Sequence, residues 1–215
     1  MNLHIPIRSF FEFAFPCRRL DGKSFMEGYP AGWPDENRLP ELGGLEGTDP
    51  YADVFLGWSE EGLYLGVDVR GKAGLKVEPN RPLKGDGIQI WVDTRDVRKA
   101  HRASRFCHHF YFLPTAGTRR GAVAGQARIR RAMAQGKPCD PQAITVSSHL
   151  NRTGYQLCAH LPSDILQGFD PDDNTRIGFT YRISDSLLGR QSWTADDALP
   201  VAYDPSLWGT VILSE

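Results

Sequence analysis

Hydrophobic and polar side chains alternate along much of this chain, and alternation with period two places every second side chain on one face of an extended strand. Across residues 63–70, Leu63, Leu65, Val67 and Val69 fall on one side while Tyr64, Asp68 and Arg70 fall on the other. Residues 88–93 repeat the pattern, with Ile88, Ile90 and Val92 inward and Gln89, Trp91 and Asp93 outward toward solvent. In residues 176–184, Ile177, Phe179, Tyr181 and Ile183 share one face and Thr180 and Arg182 the other. Further strands are predicted near 10–15, 53–58, 107–113, 143–150, 154–161 and 207–213. The total is about nine strands.

Ser59-Glu60-Glu61-Gly62 and Asn151-Arg152-Thr153-Gly154 each join two strand runs within hairpin length, which predicts antiparallel pairing. The helical crossovers that a parallel sheet needs are missing. Short helical turns are predicted from Ser163 to Leu166 and from Asp96 to Arg105. Residues 118–135 stay open, because their alanines favour helix whereas Ala127 to Arg131 could continue as an edge strand. With no internal repeat and no linker, the expectation is an all-β fold: one antiparallel β-sandwich domain over residues 1–215, with long loops.

Composition narrows the class. Hydrophobic residues make up 40% of the 215 and charged residues 24%, an ordinary globular mix, and the 22 Gly and 15 Pro suit turns better than long helices. The N-terminus has no signal-peptide pattern and no run is long enough to span a membrane, so a cytoplasmic location is expected. Cys17, Cys107, Cys139 and Cys158 form no Cys-x-x-Cys pair and are expected as free thiols, with Cys107 and Cys158 in the core. His101, Cys107, His108 and His109 do not make a zinc site, because strand neighbours point to opposite faces. Asp170, Asp172 and Asn174 offer hard oxygens for calcium, but the Gly and distal Glu of an EF-hand loop are missing at Thr175 and Tyr181, which favours a solvated turn. No nucleophile elbow, phosphate-binding glycine loop or metalloprotease motif is present, and no carboxylate pair stands out, so an enzyme is not expected.

The net charge of −1, from 25 Lys and Arg against 26 Asp and Glu, excludes a function resting on overall charge. The distribution is uneven, however. Eleven of those basic residues and one acid, Asp96, lie between Arg95 and Lys137. Arginine dominates the segment, including Arg95 and Arg102, and guanidinium forks suit carboxylate, sulfate or phosphate. An anionic polymer would follow; nucleic acid is unlikely, since no binding-fold motif accompanies the charge. The alternative is pairing with the acidic loops at 170–173 and 196–197.

Several ordered pieces resemble carbohydrate-binding modules of family 9. They are Tyr51 to Trp58 followed by Gly62 to Val67, then Gly85-Asp86-Gly87-Ile88-Gln89-Ile90-Trp91-Val92-Asp93. The ending, Ile177-Gly178-Phe179, Asp185, Trp193 and Pro205 to Leu213, fits as well. The resemblance implies a jelly-roll-like sandwich, structural calcium, and a site where tryptophans hold a sugar ring. Leu83 stands where such modules carry one clamping Trp, Gln89 replaces an outward acid, and Trp193 matches the second clamp position approximately. The expected ligand-binding residues are therefore Trp193, Trp91, Gln89, Asp93, Arg95 and Arg102, with a carbohydrate as ligand and an anionic one as the sharper expectation. Trp91 could instead be covered by a loop and serve as core, the role expected of Trp58 and Trp208. A protein-interaction or scaffold subunit is the alternative function; haem binding ranks last.

Overall fold

In a computed structural model, the structure describes residue 5 and residues 7–28, 32–117 and 121–215. Two sheets face each other. The larger contains β1 (Ala14–Arg18), β4 (Gly87–Asp93), β5 (Cys107–Leu113), β6 (Val123–Ala127), β9 (Arg176–Asp185), β10 (Gly189–Ser192) and β11 (Gly209–Ser214). Its order is β1-β11-β9-β4-β5-β6, with β10 taking the β11 side at the C-terminal half of β9. The smaller sheet, ordered β2-β3-β8-β7, contains β2 (Ala52–Ser59), β3 (Gly62–Arg70), β7 (Thr145–Asn151) and β8 (Gly154–Pro162). The all-β sandwich is as expected, including both hairpins.

Three local expectations are corrected. The larger sheet is mixed, since β1 pairs with β11 in parallel; the two strands lie at opposite ends of the chain, so no crossover is needed between sequence neighbours. β6 and β10 raise the count to eleven among the described residues, and β6 resolves part of the open 118–135 stretch as a strand. The turn from Asp96 to Arg105 is irregular, and a short helix, α1 (Gly22–Glu27), forms instead where Asp21 caps it: its Oδ1 accepts from the Lys23 amide.

The core lies between the sheets, and strand phase is as read from the sequence. Leu63, Leu65, Val67 and Val69 meet Ile88, Ile90, Val92, Ile177, Phe179 and Ile183 there, all at 1% exposure or less. Both outer faces are partly covered too. Phe25 and Trp33 pack on Phe55, Tyr64 and Cys158 outside the smaller sheet. Outside the larger sheet, Ala103, Ile129, Ala195, Val201 and Trp208 pack on Trp91 and Cys107.

Candidate functional site

Register places the predicted residues on the outer face of the larger sheet. Gln89 lies between Arg182 and Tyr111, Trp91 between Thr180 and His109, and Asp93 between Gly178 and Cys107. The face was read correctly but its exposure was not. All three are buried: the segments around 103, 129 and 195–208 fold back over Trp91, while Gln89 packs against His109 and Asp93 closes a turn. Trp91 stacks on His109 with ring centroids 4.4 Å apart, the Arg182 guanidinium lies 5.3 Å over its ring, and its indole Nε1 has no partner. Gln89 Oε1 is 3.1 Å from His109 Nε2, which donates to it in the neutral imidazole. Burial, reinforced by the Arg182 charge, pushes the His109 pKa down to about 3. Asp93 accepts from the Arg95 and Val97 amides and shapes a turn, while burial holds its carboxyl above the usual range.

Trp193 is also interior. Its Nε1 donates to the Pro40 carbonyl at 3.0 Å, and its ring meets Phe15, Phe179 and Tyr181 inside the sandwich. As placed, neither tryptophan offers a ring face to solvent. The reason is local for Trp193: its amide bonds to the Tyr181 carbonyl just beyond β10, which turns the side chain toward the core. Trp58 is core between the sheets, whereas Trp208 is buried in the outer cluster.

Arg95 and Arg102 are exposed, as the charge reading requires. Arg95 and Arg105 both lie over the Phe106 ring, at 5.2 and 4.9 Å. Arg102 Nε donates to the Arg131 carbonyl, and Arg131 lies 5.5 Å over Tyr203. These rings hold the guanidiniums without neutralising them. Among the described residues, none of the nine basic side chains in 95–137 has a carboxylate within 4.0 Å; the predicted Arg119 and Arg120 lie outside the described residues. The acidic loops are otherwise engaged. Asp197 pairs with Arg182 and Arg190, while Asp170 Oδ1 accepts from the Asp173 amide in a turn that also holds Asn174, leaving Asp172 exposed.

Tyr111, on the same face, is half-buried and borders a groove; the sequence reading did not single it out. A groove of about 480 Å³ is lined by Tyr111, Leu83, Arg81, Lys84, Gln126 and Ala127. Tyr111 lies across Gly125 on the neighbouring strand, where an added Cβ would sit 2.4 Å from its hydroxyl. Glycine therefore lets the phenol ring lie on β6. A glycine inside an alternating strand, opposite an aromatic, was the available signal. A second cavity of about 410 Å³ shares Gln126 and Ala127 with this groove and continues past His109 to Arg128, so the two form one track beside β6. At the other edge of the sheet a polar cleft of about 480 Å³ is lined by Arg8, Glu41, Glu46, Asp49, Tyr51 and Asp196, among others.

A family model described as carbohydrate family 9 binding domain-like matches residues 33–215. The chain belongs to that family. The fold of this family 9 domain is similar to a family 9 carbohydrate-binding module from Caldicellulosiruptor kristjanssonii in complex with cellotriose, with a TM-score of 0.63 and 17% identity over 94% of this chain and 93% of that one. A second module from the same organism, in complex with glucose, gives 0.56 and 19% over 78% and 80%. A putative carbohydrate-binding protein from Bacteroides uniformis gives 0.55 and 12% over 95% and 100%. No curated protein matches the chain. Leu83 lines the same groove as Tyr111. Among the described residues, no helix is long and apolar enough to cross a membrane.

Proposed function

We propose that this chain is a non-catalytic carbohydrate-binding module whose ligand is an anionic saccharide lying along the track beside β6. A sugar ring would stack its C–H face on Tyr111 and Leu83, since apolar contact of this kind gains roughly 25 cal/mol per Å² removed from water. Its hydroxyls would meet the amide of Gln126, whose Oε1 accepts from the Cys139 amide and whose Nε2 contacts His108, leaving one lone pair and one N–H for a sugar. Carboxylate or sulfate groups further along would meet Arg128 and the neighbouring unpaired arginines. One observation carries this reading: among the described residues, nine cations share one segment with no carboxylate within 4.0 Å of their side-chain nitrogens, while Arg8, Arg19, Arg38, Arg70, Arg81, Arg176, Arg182 and Arg190 all have an acidic partner.

Family membership and the likeness to modules crystallised with cellotriose and glucose support carbohydrate as the ligand class. Glycan-array binding with neutral, uronic and sulfated polymers tests the charge preference. Binding confined to neutral glucans would refute the anionic assignment, and binding to no glycan would refute the whole reading. A protein-interaction subunit is the second reading, favoured by the exposed Ile7, Phe10 and Phe11 beside β1.

A further inference from the structure

Four arginines of the basic segment are gathered at two aromatic rings. The Arg95 and Arg105 guanidiniums lie 5.2 and 4.9 Å from the centroid of Phe106. Arg131 lies 5.5 Å from that of Tyr203, and its carbonyl accepts from Arg102 Nε. All four side chains are exposed, and among the described residues none has a carboxylate within 4.0 Å. Both rings are fixed by their surroundings. Phe106 lies against Gly168, where an added Cβ would sit 2.7 Å from its Cδ1, and the Phe106 amide donates to Ser104 Oγ. The Tyr203 carbonyl accepts from the Ala103 amide. Arg102 and Arg105 are three residues apart, so one stretch joins the two pairs over roughly 10 Å of chain. Cys107, next after Phe106, lines the second cavity of the track beside β6, and a Cβ added at Gly136 in the same wall would sit 3.1 Å from the Arg105 carbonyl. The arginine pairs therefore stand at the end of the track away from Tyr111.

Two cations beside one ring repel each other, and resting on the ring strips part of their water, so both effects favour an anion that touches both. Arg131 also adopts a φ of +63°, a left-handed conformation that residues with a Cβ avoid, and the bond from Arg102 holds its carbonyl there. The shape of the anion follows from counting oxygens. A carboxylate has two, and a single guanidinium fork occupies both; a tetrahedral ester has three terminal oxygens, so it takes one fork and still accepts from a second. We infer that the Arg95–Phe106–Arg105 and Arg102–Arg131–Tyr203 platforms select sulfate esters over carboxylates, so that the ligand is a sulfated polysaccharide rather than a uronic one. The assignment depends on the anionic-saccharide reading of the track and names the anion within it. Phosphate esters share the three-oxygen geometry and carry more charge, which makes them the competing source of the same contacts.

The test titrates the full chain with three soluble derivatives of one glucan backbone, carboxymethyl cellulose, cellulose sulfate and cellulose phosphate, at equal charge density and about 0.1 M salt. Cellulose sulfate is expected to bind at least about tenfold tighter than carboxymethyl cellulose. Arg95→Lys/Arg105→Lys and Arg102→Lys/Arg131→Lys keep the charge and remove the forks. Each is expected to bring that ratio below about threefold while carboxymethyl cellulose affinity and the thermal midpoint stay near wild type. Equal wild-type affinity for the sulfate and carboxymethyl polymers overturns the inference and leaves the anionic reading standing, whereas binding to none of the three removes both. A ratio that survives in either lysine variant overturns the assignment to these arginines. Tighter binding to cellulose phosphate overturns the choice of sulfate, and tighter binding to a mixed-sequence DNA duplex than to any of the polymers overturns it in favour of nucleic acid.

Discussion

The His109 imidazole lies on the Trp91 indole with an interplanar angle of 13°, and its Nε2 reaches Gln89 on the adjacent strand. This layer is closed to water, so the imidazole is held neutral. His108, on the inner side of the same strand, is likewise buried and its pKa is pushed down to about 4 by that burial.

The two histidines make the fold acid-sensitive. In the unfolded chain each takes a proton near pH 6.5, whereas folded His108 and His109 resist down to about 4 and about 3. Their contribution is therefore fully present above pH 6.5 and is lost as pH falls toward 4 and 3. Each costs up to about 1.4 kcal/mol per pH unit in that window. Asp93, with its raised pKa, works in the opposite sense and offsets part of the loss. Urea unfolding at several pH values should show the decline, with a shallower slope in His109→Gln; unchanged stability between pH 6.5 and 4.5 would contradict it.

Tyr111 and Gly125 give a paired test of the binding track. Tyr111→Ala is expected to weaken saccharide binding roughly tenfold, about 1.4 kcal/mol, while shifting stability by less than about 1 kcal/mol. Gly125→Ala is expected to do the same by displacing the ring that its methyl would strike. Calorimetric titration against the best array ligand reads both. Full affinity in both variants would remove Tyr111 from the site.

Salt dependence separates charge from stacking. Affinity for an anionic polymer is expected to fall at least about tenfold as salt rises from roughly 0.1 to 1 M, because the Debye length contracts from about 10 to 3 Å. Arg128→Ala/Arg131→Ala should flatten this dependence and leave binding of any neutral ligand unchanged. A steep salt dependence that survives the double substitution would exclude these arginines as contacts.

Trp193 and Trp91 should behave as packing residues. Replacing either by Ala is expected to cost roughly 3–5 kcal/mol of stability, since each leaves a large cavity among well-packed neighbours. Chemical denaturation provides the measurement. A stable Trp193→Ala protein with lost saccharide binding would restore that tryptophan to the site.

The inner face of the sandwich was legible because it depends on local alternation. Ile88, Ile90 and Val92 sit where their phase puts them, and so do Leu63 to Val69. The family could also be read from ordered motifs between Tyr51 and Leu213. The candidate site was legible only as a face. Gln89, Trp91 and Asp93 do point away from the core, but the same alternation cannot report whether a distant segment covers them.

Strand phase, hairpins and the uneven charge of 95–137 were determined by the sequence itself, since each depends on covalent neighbours and side-chain chemistry. The tertiary structure decided what water reaches. It brought residues 195–208 over Trp91, turned Trp193 onto Phe15 and Phe179, left the Arg128 region without acids, and closed Asp86 and Asp185 around Lys72. Those outcomes depend on contacts between segments far apart in the chain, and burial and ion pairing exist only once such segments have packed.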